Sequence, residues 1–260
     1  MYAFTHHTAV TIADAVAALG EGKYLAGGQT LLPTMKQRLA MPGHLVDLGR
    51  VAELKGVVET PDALIIKAMT THADVARSPC VAGATPGLEK LAGRIGDPAV
   101  RHRGTIGGSL ANNDPTADYP AACLALKATI VTDKRRIPAD QYFMGLFTTA
   151  LDDTELITAV EFPKATLHYA KFPNPASRYA MVGVAIVKHA DGVRVAVTGS
   201  GADGVFRWRA AEERLSDAFN AAALDGLKPD ERTMMSDIHG QADYRAHLVG
   251  VMARRALPTG

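Results

Sequence analysis

Two pairs of neighbouring glycines are the first feature of this sequence with a chemical use. Gly27-Gly28 is followed by Gln29-Thr30, and Gly107-Gly108 lies between Thr105-Ile106 and Ser109. Because glycine has no Cβ, the backbone N–H groups at such a turn can come close to an anion, and neighbouring hydroxyl groups can donate further hydrogen bonds. We expect the two loops to meet in space and to hold a diphosphate-containing ligand, with two ordinary glycine turns as the alternative interpretation.

A third glycine run, Gly199–Gly204, matches the pattern G-x-G-x-x-G, which binds dinucleotides in βαβ units. The strand before this run is predicted to be the second arm of a hairpin, and no strand ending in an acidic residue follows about 20 residues later. We therefore interpret the run as a strand-to-helix connection. An NAD-dependent dehydrogenase that uses this run stays as an alternative function.

Other catalytic and metal-binding patterns are missing from the sequence. It contains no G-x-S-x-G, no H-E-x-x-H and no P-loop pattern. Its two cysteines, Cys80 and Cys123, have no neighbouring cysteine or paired histidine. We therefore predict no metal ligands and no iron–sulfur cluster in this chain, and interpret both cysteines as buried thiols.

The first glycine pair stands where a short predicted strand, 24–26, passes into a helix over 31–39. The spacing of apolar residues also predicts a helix over 12–19 with Thr11 as its N-cap, and a strand over 44–48. Helices that alternate with strands indicate a small α/β unit in the first 50 or so residues.

From Gly56 onward the sequence pattern is typical of antiparallel strands, and it starts with a predicted hairpin over 56–60 and 63–68. After Pro163 the chain is predicted to form a separate unit, with a hairpin turn at Asp191-Gly192. The other predicted elements are helices near Thr71 and over 88–95, 120–128, 206–219 and 242–256, and strands over 129–132, 156–162, 167–172, 181–189 and 193–197.

Composition limits the class of protein. The chain has 260 residues, is 47% hydrophobic and carries 28 basic against 27 acidic residues, a net charge of +1. This composition is typical of a globular protein with a substantial core, and it provides no overall field for nucleic acid or an anionic membrane. Because no apolar run approaches the roughly 18 residues of a membrane span and the N-terminus lacks a signal-peptide pattern, we expect a cytoplasmic protein without an integral membrane segment.

The glycine segments and their neighbours resemble the FAD-binding medium subunit of molybdenum hydroxylases, the carbon monoxide dehydrogenase and xanthine dehydrogenase family. The resemblance covers nearly the whole chain in the family's order and departs from the family pattern only in details, such as Thr30 in place of the more common serine and His102 where asparagine is frequent. The segments that carry it are 26–33 (AGGQTLLP), 101–111 (RHRGTIGGSLA), 114–120 (DPTADYP), 155–157, 162–163, 169–172 and Arg178.

The resemblance implies an α+β fold: a vanillyl-alcohol-oxidase/PCMH-type FAD-binding domain of two α/β subdomains, followed by a smaller α+β C-terminal domain. The implied boundaries are 1–164 for the FAD-binding domain, with subdomains of about 1–55 and 56–164, and 165–260 for the C-terminal domain.

The resemblance also implies a set of cofactor-binding residues. Asp118 would accept the flavin N3–H, Lys171 would place a cation near the ring and raise its potential, and Ile157 would pack near the isoalloxazine. Either Tyr169 or Tyr179 could cover the ring face. The residues implied around the diphosphate are Ala26, Gly27, Gly28, Gln29, Thr30, Leu31, Thr105, Ile106, Gly107, Gly108 and Ser109.

As a function, the resemblance implies an oxidoreductase subunit that carries FAD and passes electrons from the iron–sulfur clusters of a partner to an external acceptor. Substrate oxidation would take place on a large molybdopterin subunit, a small subunit would carry the clusters, and the complex would be a dimer of heterotrimers. A cofactor-free scaffold subunit is a further alternative to the NAD-dependent dehydrogenase. No side chain of this chain is assigned an acid–base role.

Overall fold

Residues 1–258 form four β-sheets, of three, five, four and two strands. The computed structural model describes residues 1–258. Three of the sheets follow one another along the sequence and are called here the N-terminal, central and C-terminal sheets. No helix within the described range combines the length and the hydropathy that crossing a membrane requires.

The N-terminal sheet has the order β1-β3-β2, and β3 pairs in parallel with both neighbours. The predicted strand, glycine turn and helix are confirmed, because Gly27-Gly28 connects β2 to α2. This helix is shorter than predicted and ends at Lys36, so Leu39 lies outside it and is 75% exposed. The elements are β1 (Thr5–Thr8), α1 (Ile12–Ala18), β2 (Lys23–Leu25), α2 (Leu31–Lys36) and β3 (His44–Asp47).

The central sheet is antiparallel throughout, with the order β4-β5-β10-β6-β7. Its predicted first hairpin is confirmed. Its elements are β4 (Val57–Glu59), β5 (Ala63–Lys67), α3 (His72–Arg77), α4 (Pro79–Ala84), α5 (Leu88–Gly93), α6 (Pro98–Arg103), α7 (Ile106–Asn112), α8 (Tyr119–Ala125), β6 (Thr129–Thr132), β7 (Arg136–Pro138), α9 (Ala139–Tyr142) and β10 (Ile157–Pro163). A separate hairpin, β8 (Phe143–Gly145) and β9 (Thr148–Thr149), projects between α9 and β10.

Six consecutive helices, α3 to α8, lie between the second and third strands of the central sheet in chain order. Every residue of α8 is buried, because strands of the C-terminal sheet and the helices α5, α7 and α9 all pack against it. Helix α4 lies at the surface: Val81 points inward, and its neighbour Cys80 is exposed. The prediction of two buried thiols is therefore wrong for Cys80 and correct for Cys123.

The C-terminal sheet is antiparallel, with the order β11-β12-β13-β14. Along β12, Ala185 and Val187 pack with α8, whereas Val184 and Ile186 pack with α11 and the other C-terminal elements, so the strand is buried on both faces. The elements are β11 (His168–Pro173), β12 (Ala180–His189), β13 (Gly192–Thr198), β14 (Phe206–Arg207), α10 (Arg209–Asp217) and α11 (Ala242–Ala256). The predicted helix over 206–219 is wrong at its start, because β14 pairs there with β13.

The glycine run 199–204 connects β13 to β14, two antiparallel strands, so the prediction of a strand-to-helix connection is wrong. A Cβ on Gly199 would stand 2.2 Å from the carbonyl oxygen of Ala180, so this glycine allows a tight backbone contact. The buried guanidinium of Arg245 donates to the carbonyl oxygens of Gly199 and Met181 at 2.7 and 2.9 Å. The run is therefore packed into the C-terminal unit and does not have the βαβ context that a dinucleotide fingerprint needs.

A buried carboxylate fixes the start of β10. Glu155, whose side chain is fully buried, accepts hydrogen bonds from Arg135 Nε at 2.9 Å, the Thr132 hydroxyl at 2.6 Å and the backbone N–H of Asp152 at 3.0 Å. The hydrogen bonds from Arg135 are the largest cause that lowers the pKa of Glu155 from 4.5 to about 2. The carboxylate therefore holds the β6–β7 turn against the segment that leads into β10.

We predict that Glu155 makes unfolding pH-dependent. Its pKa is lower in the folded chain than in the unfolded chain, so its contribution is complete above about pH 4.5 and is lost as the pH falls toward 2. The lost stability should amount to about 2–3 kcal/mol. Urea unfolding of wild type and Glu155→Gln between pH 2 and 7 should show that part of the dependence only in wild type. Glu21→Gln, at an exposed site, is the matched control and should follow wild type; identical pH curves for wild type and Glu155→Gln would contradict the prediction.

Candidate functional site

A cleft of about 760 Å³ lies between the N-terminal sheet with its helices and the central sheet with its helices, called here the N-terminal and central units. Both predicted glycine loops line this cleft. The side of the N-terminal unit is formed by the turn from β2 to α2, and the central unit contributes the start of α7 and the first residue of β10. All predicted cofactor-binding residues except Ile106 and Lys171 line this cleft, and of the two candidate tyrosines Tyr179 does.

The two loops touch, as the sequence predicts. A Cβ on Gly27 would stand 2.1 Å from the carbonyl oxygen of Arg103 and 2.8 Å from the Cα of Gly104, so only glycine allows this approach. A Cβ on Gly108 would meet only Thr105 Oγ1 at 3.0 Å and the Cβ of Ala26 at 3.5 Å. Gly27 therefore joins the loops, whereas Gly108 faces the space between them.

The first loop presents a row of unused hydrogen-bond donors. Within residues 1–258, none of the backbone N–H groups of residues 27–31 donates a hydrogen bond to another group of the chain. The intrahelical bonds begin only when Leu32 N–H donates to Gly28 O at 3.2 Å, and Gly28 has a left-handed φ of +71°. Because all five residues line the cleft, this row fits a ligand with several anionic acceptor oxygens, such as a diphosphate.

The second loop contributes in a different way. Its backbone donors are used inside the protein: Ile106 N–H donates to Thr70 O at 3.2 Å, Gly107 N–H to Ala68 O at 2.9 Å and Gly108 N–H to Thr105 Oγ1 at 3.1 Å. The side chain of Ile106 is fully buried in the core. This loop therefore offers close backbone approach and the hydroxyl groups of its threonine and serine, rather than the free N–H groups expected from the sequence.

At another part of the cleft, Asp118 is buried and lies at the start of α8. Tyr169 donates its hydroxyl hydrogen to Asp118 Oδ1 at 2.5 Å, and Lys171 Nζ lies 2.9 Å from the same oxygen. Lys171 lies behind Asp118 and does not line the cleft, and it also donates to Arg94 O at 2.8 Å. Burial raises the pKa of Asp118, while the Lys171 ammonium and the Tyr169 hydroxyl oppose that rise.

The structure distinguishes the two candidate tyrosines. The ring of Tyr169 is directed to Asp118 and does not line the cleft, whereas Tyr179 lines it and is 39% exposed. Tyr179 follows a loop in which Asn174 Oδ1 accepts from the N–H groups of Ala176 and Ser177 at 2.9 and 3.2 Å. Of the two, only Tyr179 can face a ligand in the cleft.

His72 is a cleft residue that the sequence reasoning missed. It is 4% exposed, its ring lies 5.4 Å from that of Tyr119, and its Nδ1 has no hydrogen-bond partner within residues 1–258. Burial lowers the pKa of His72 to about 4, with a smaller contribution from Arg101. The imidazole is therefore neutral near pH 7, and a Cβ on Gly104 would stand 2.7 Å from its Nε2. No spacing in the sequence marks this residue.

The hairpin β8–β9 was also missed, although Phe147, Thr148 and Thr149 line the cleft. The side-chain amide of Asn113 donates to the carbonyl oxygens of Gly145 and Thr148, both at 2.8 Å, and Asn113 O accepts from Phe147 N–H at 3.2 Å. Asn113 caps the end of α7 in the left-handed conformation, so the helix that begins at the second glycine loop also fixes this hairpin.

The family model, the curated relatives and the solved structures to which this chain is similar agree with one another. Residues 2–165 match the family model described as "FAD binding domain in molybdopterin dehydrogenase". The chain is 34% identical to the carbon monoxide dehydrogenase medium chain of Hydrogenophaga pseudoflava, over 98% of this chain and 96% of that one. It is 35% identical to the nicotine 6-hydroxylase medium subunit of Paenarthrobacter nicotinovorans, over 94% and 91%. A chain in the structure of reconstituted CO dehydrogenase from Oligotropha carboxidovorans superposes with a TM-score of 0.89 at 34% identity, over 98% and 97%.

We predict that Gly27→Ala separates the two loops. Its methyl carbon would stand 2.1 Å from a backbone oxygen, which cannot move aside as a side chain can. Unfolding of the chain without added ligand should become easier by about 3 kcal/mol, measured as a lower urea midpoint. Gly43→Ala is the control, because a Cβ there meets nothing within 4 Å, and it should change stability by less than about 0.5 kcal/mol. Equal midpoints for the two variants would contradict the contact.

Proposed function

The chain belongs to the family of FAD-binding domains of molybdopterin dehydrogenases, and we propose that it is the FAD-carrying, electron-transferring medium subunit of a heteromeric molybdenum hydroxylase. The observation that carries this proposal is the row of five unused N–H groups of residues 27–31 along the cleft. An anionic ligand would satisfy these donors, and the diphosphate of FAD has the acceptor oxygens to do so.

The residues of the cleft fit FAD. The diphosphate would lie against 26–31 and against the hydroxyl groups of Thr105 and Ser109, where Gly108 leaves space. The flavin would lie toward Asp118, whose carboxylate can accept the N3–H, and Ile157, whose buried side chain offers an apolar contact. When bound, FAD supplies a group that takes up and releases electrons one or two at a time.

The chain's own residues bind and orient the cofactor and keep water from it, and none is proposed as a general acid or base. The side chains of Ile157 and Leu156 are almost fully buried at the cleft wall. The imidazole of His72 stays neutral near pH 7, so it adds no charge beneath the second loop. The proposed role is electron transfer from the iron–sulfur clusters of a partner subunit to an external acceptor.

The proposed partners are a small iron–sulfur subunit and a large molybdopterin subunit, arranged as a dimer of heterotrimers in the cytoplasm. The relatives support a multi-subunit complex, because they are named a medium chain and a medium subunit. We also propose the domain division predicted from the sequence, 1–164 and 165–260; the family match over 2–165 supports it.

The alternative functions have less support. An NAD-dependent dehydrogenase would need the glycine run 199–204 in a βαβ unit, but the run joins antiparallel strands and is held by Arg245. A cofactor-free scaffold would leave the five N–H groups of residues 27–31 facing a 760 Å³ cleft without an acceptor other than water.

We predict that the purified chain, incubated with excess FAD and desalted, retains close to one FAD per chain, and that Gly108→Val retains much less. The added side chain meets few protein atoms, so the variant should fold, but it fills the space between the loops. Its FAD dissociation constant should rise at least about tenfold. The measurement is flavin absorbance, with the released cofactor identified by chromatography.

Gly43→Val is the control for the added side chain, since position 43 lies in open space away from the cleft, and it should bind FAD as wild type does. Full FAD retention by folded Gly108→Val would refute the placement of the diphosphate. A wild-type chain that is folded, purified with its partners and still free of flavin would refute the proposed function.

A further inference from the structure

Behind the cleft, a buried charged cluster joins the central unit to the C-terminal sheet. Asp118 and Lys171 form an ion pair in which each side chain is only 1% exposed. Asp118 comes from the start of α8, whereas Tyr169 and Lys171 come from β11. Arg94, at the end of α5, accepts a hydrogen bond from Lys171 through its carbonyl oxygen and donates one through Nη2 to Lys171 O at 3.4 Å.

The geometry of the C-terminal sheet makes room for the Tyr169 hydroxyl. Tyr169 and Lys171 are two residues apart on β11 and therefore point to the same face. On the neighbouring strand β12, Gly183 pairs with Lys171, and a Cβ on Gly183 would stand 2.4 Å from the Tyr169 hydroxyl oxygen. A glycine inside a strand weakens the strand, so its presence here has a physical reason: it leaves the space that the hydroxyl occupies.

The carboxylate of Asp118 accepts hydrogen bonds from two side chains of β11. On the side of β11, Oδ1 accepts from the Tyr169 hydroxyl at 2.5 Å, and Lys171 Nζ donates to Oδ2 at 3.1 Å. An ionised carboxylate has about four acceptor positions, so these two donors leave it able to accept another hydrogen bond. Asp118 also lines the cleft, where a ligand could supply that hydrogen bond.

We propose that Tyr169 is a positioning residue of the cofactor site, whose hydroxyl holds Asp118 in the orientation from which its carboxylate accepts an N–H from a ligand in the cleft. This inference rests on the proposed FAD site and adds a residue that does not itself touch the cleft. It also makes the C-terminal sheet a part of the cofactor site, because Tyr169 reaches Asp118 only while β11 stays paired with β12.

The proposal implies a pH effect with a definite sign. The hydrogen bond from Tyr169 lowers the pKa of Asp118, against the rise caused by burial. Without the hydroxyl, Asp118 takes up a proton at higher pH, and a protonated carboxyl is a poorer acceptor for a ligand N–H. The other charged or titratable groups near Asp118 are Lys171, Arg94, Tyr119, Tyr179, Asp114 and, through its contact with Tyr119, His72.

None of these neighbours is expected to produce the shift in the pH dependence of FAD binding that the loss of the Tyr169 hydroxyl would cause. Burial raises the pKa of Tyr119 and of Tyr179, so both are neutral at acidic and neutral pH, and the pKa of His72 is lowered to about 4. Lys171 and Arg94 are cations that stay in place in a Tyr169→Phe variant. The carboxylate of Asp114 is occupied locally, since it accepts from the N–H and the hydroxyl of Thr116.

The test is the dissociation constant of FAD from the full chain between about pH 4.5 and 8, for wild type and Tyr169→Phe. Tyr169→Phe should bind FAD more weakly as the pH falls. The midpoint of this loss should lie at least about one pH unit above that of wild type, which corresponds to about a tenfold difference in the affinity for FAD. Tyr142→Phe is the matched control. Its hydroxyl is also buried and donates to Leu110 O at 3.1 Å, but it does not line the cleft or contact Asp118.

Tyr142→Phe should lose stability, as Tyr169→Phe does, while keeping the wild-type pH profile of FAD binding. A second variant, Gly183→Ala, keeps the Tyr169 hydroxyl but forces it to move, so it should shift the midpoint in the same direction as Tyr169→Phe. A pH profile of folded Tyr169→Phe, or of folded Gly183→Ala, that superimposes on that of wild type overturns the positioning role. A wild-type chain that binds no FAD at any pH overturns the proposed function instead, so the two failures are distinguishable.

Discussion

The cleft depends on one close contact between backbones, that of Gly27 with the carbonyl group of Arg103. Gly27 lies in the turn after β2 and Arg103 at the end of α6, and nothing larger than a hydrogen atom fits between them. Because the turn after β2 is fixed there, the N–H groups of residues 27–31 lie along the cleft and donate no hydrogen bond within residues 1–258. The second loop uses its own N–H groups to donate to the carbonyl oxygens of Thr70 and Ala68, which fixes it to the segment that follows β5 in the central sheet. The donors of the second loop are therefore satisfied within the protein, whereas those of the first loop face the cleft.

The unsatisfied N–H groups of the first loop link the stability of the folded chain to ligand binding. Buried or crowded backbone donors normally find partners within the protein, and a run of five without one costs free energy unless water or a ligand accepts them. The central unit offsets that cost with satisfied groups around the cleft, among them Glu155, which accepts from Arg135, Thr132 and Asp152. A ligand that supplies the missing acceptors therefore stabilises the folded chain by mass action, so cofactor binding and folding are linked.

Much of the framework follows from the sequence, because local patterns decide it. Helix α11 has the predicted bounds of 242–256, and the turn at Asp191-Gly192 joins β12 to β13. The loops were predicted from glycine alone, and their meeting is confirmed. Short helices such as α6 and α7 carry too few turns for a periodic signal. His72 and Tyr179 reach the cleft through tertiary contacts between distant segments, which no local pattern encodes. The roles of the site residues toward FAD stay predictions.

The surroundings of Lys171 depend on tertiary contacts that a sequence pattern does not contain. The resemblance implied a cation next to the ring, whereas in the folded chain Lys171 lies behind Asp118 and is fully occupied by that carboxylate and by Arg94 O. A buried ammonium left without its partner is strongly unfavourable, so each member of the pair requires the other. Its charge can then act on the cleft only together with that of Asp118, as a paired dipole supported by Tyr169. Influence on a bound flavin would therefore depend on the geometry of the whole cluster, and hence on the pairing of β11 with β12, rather than on one free positive charge.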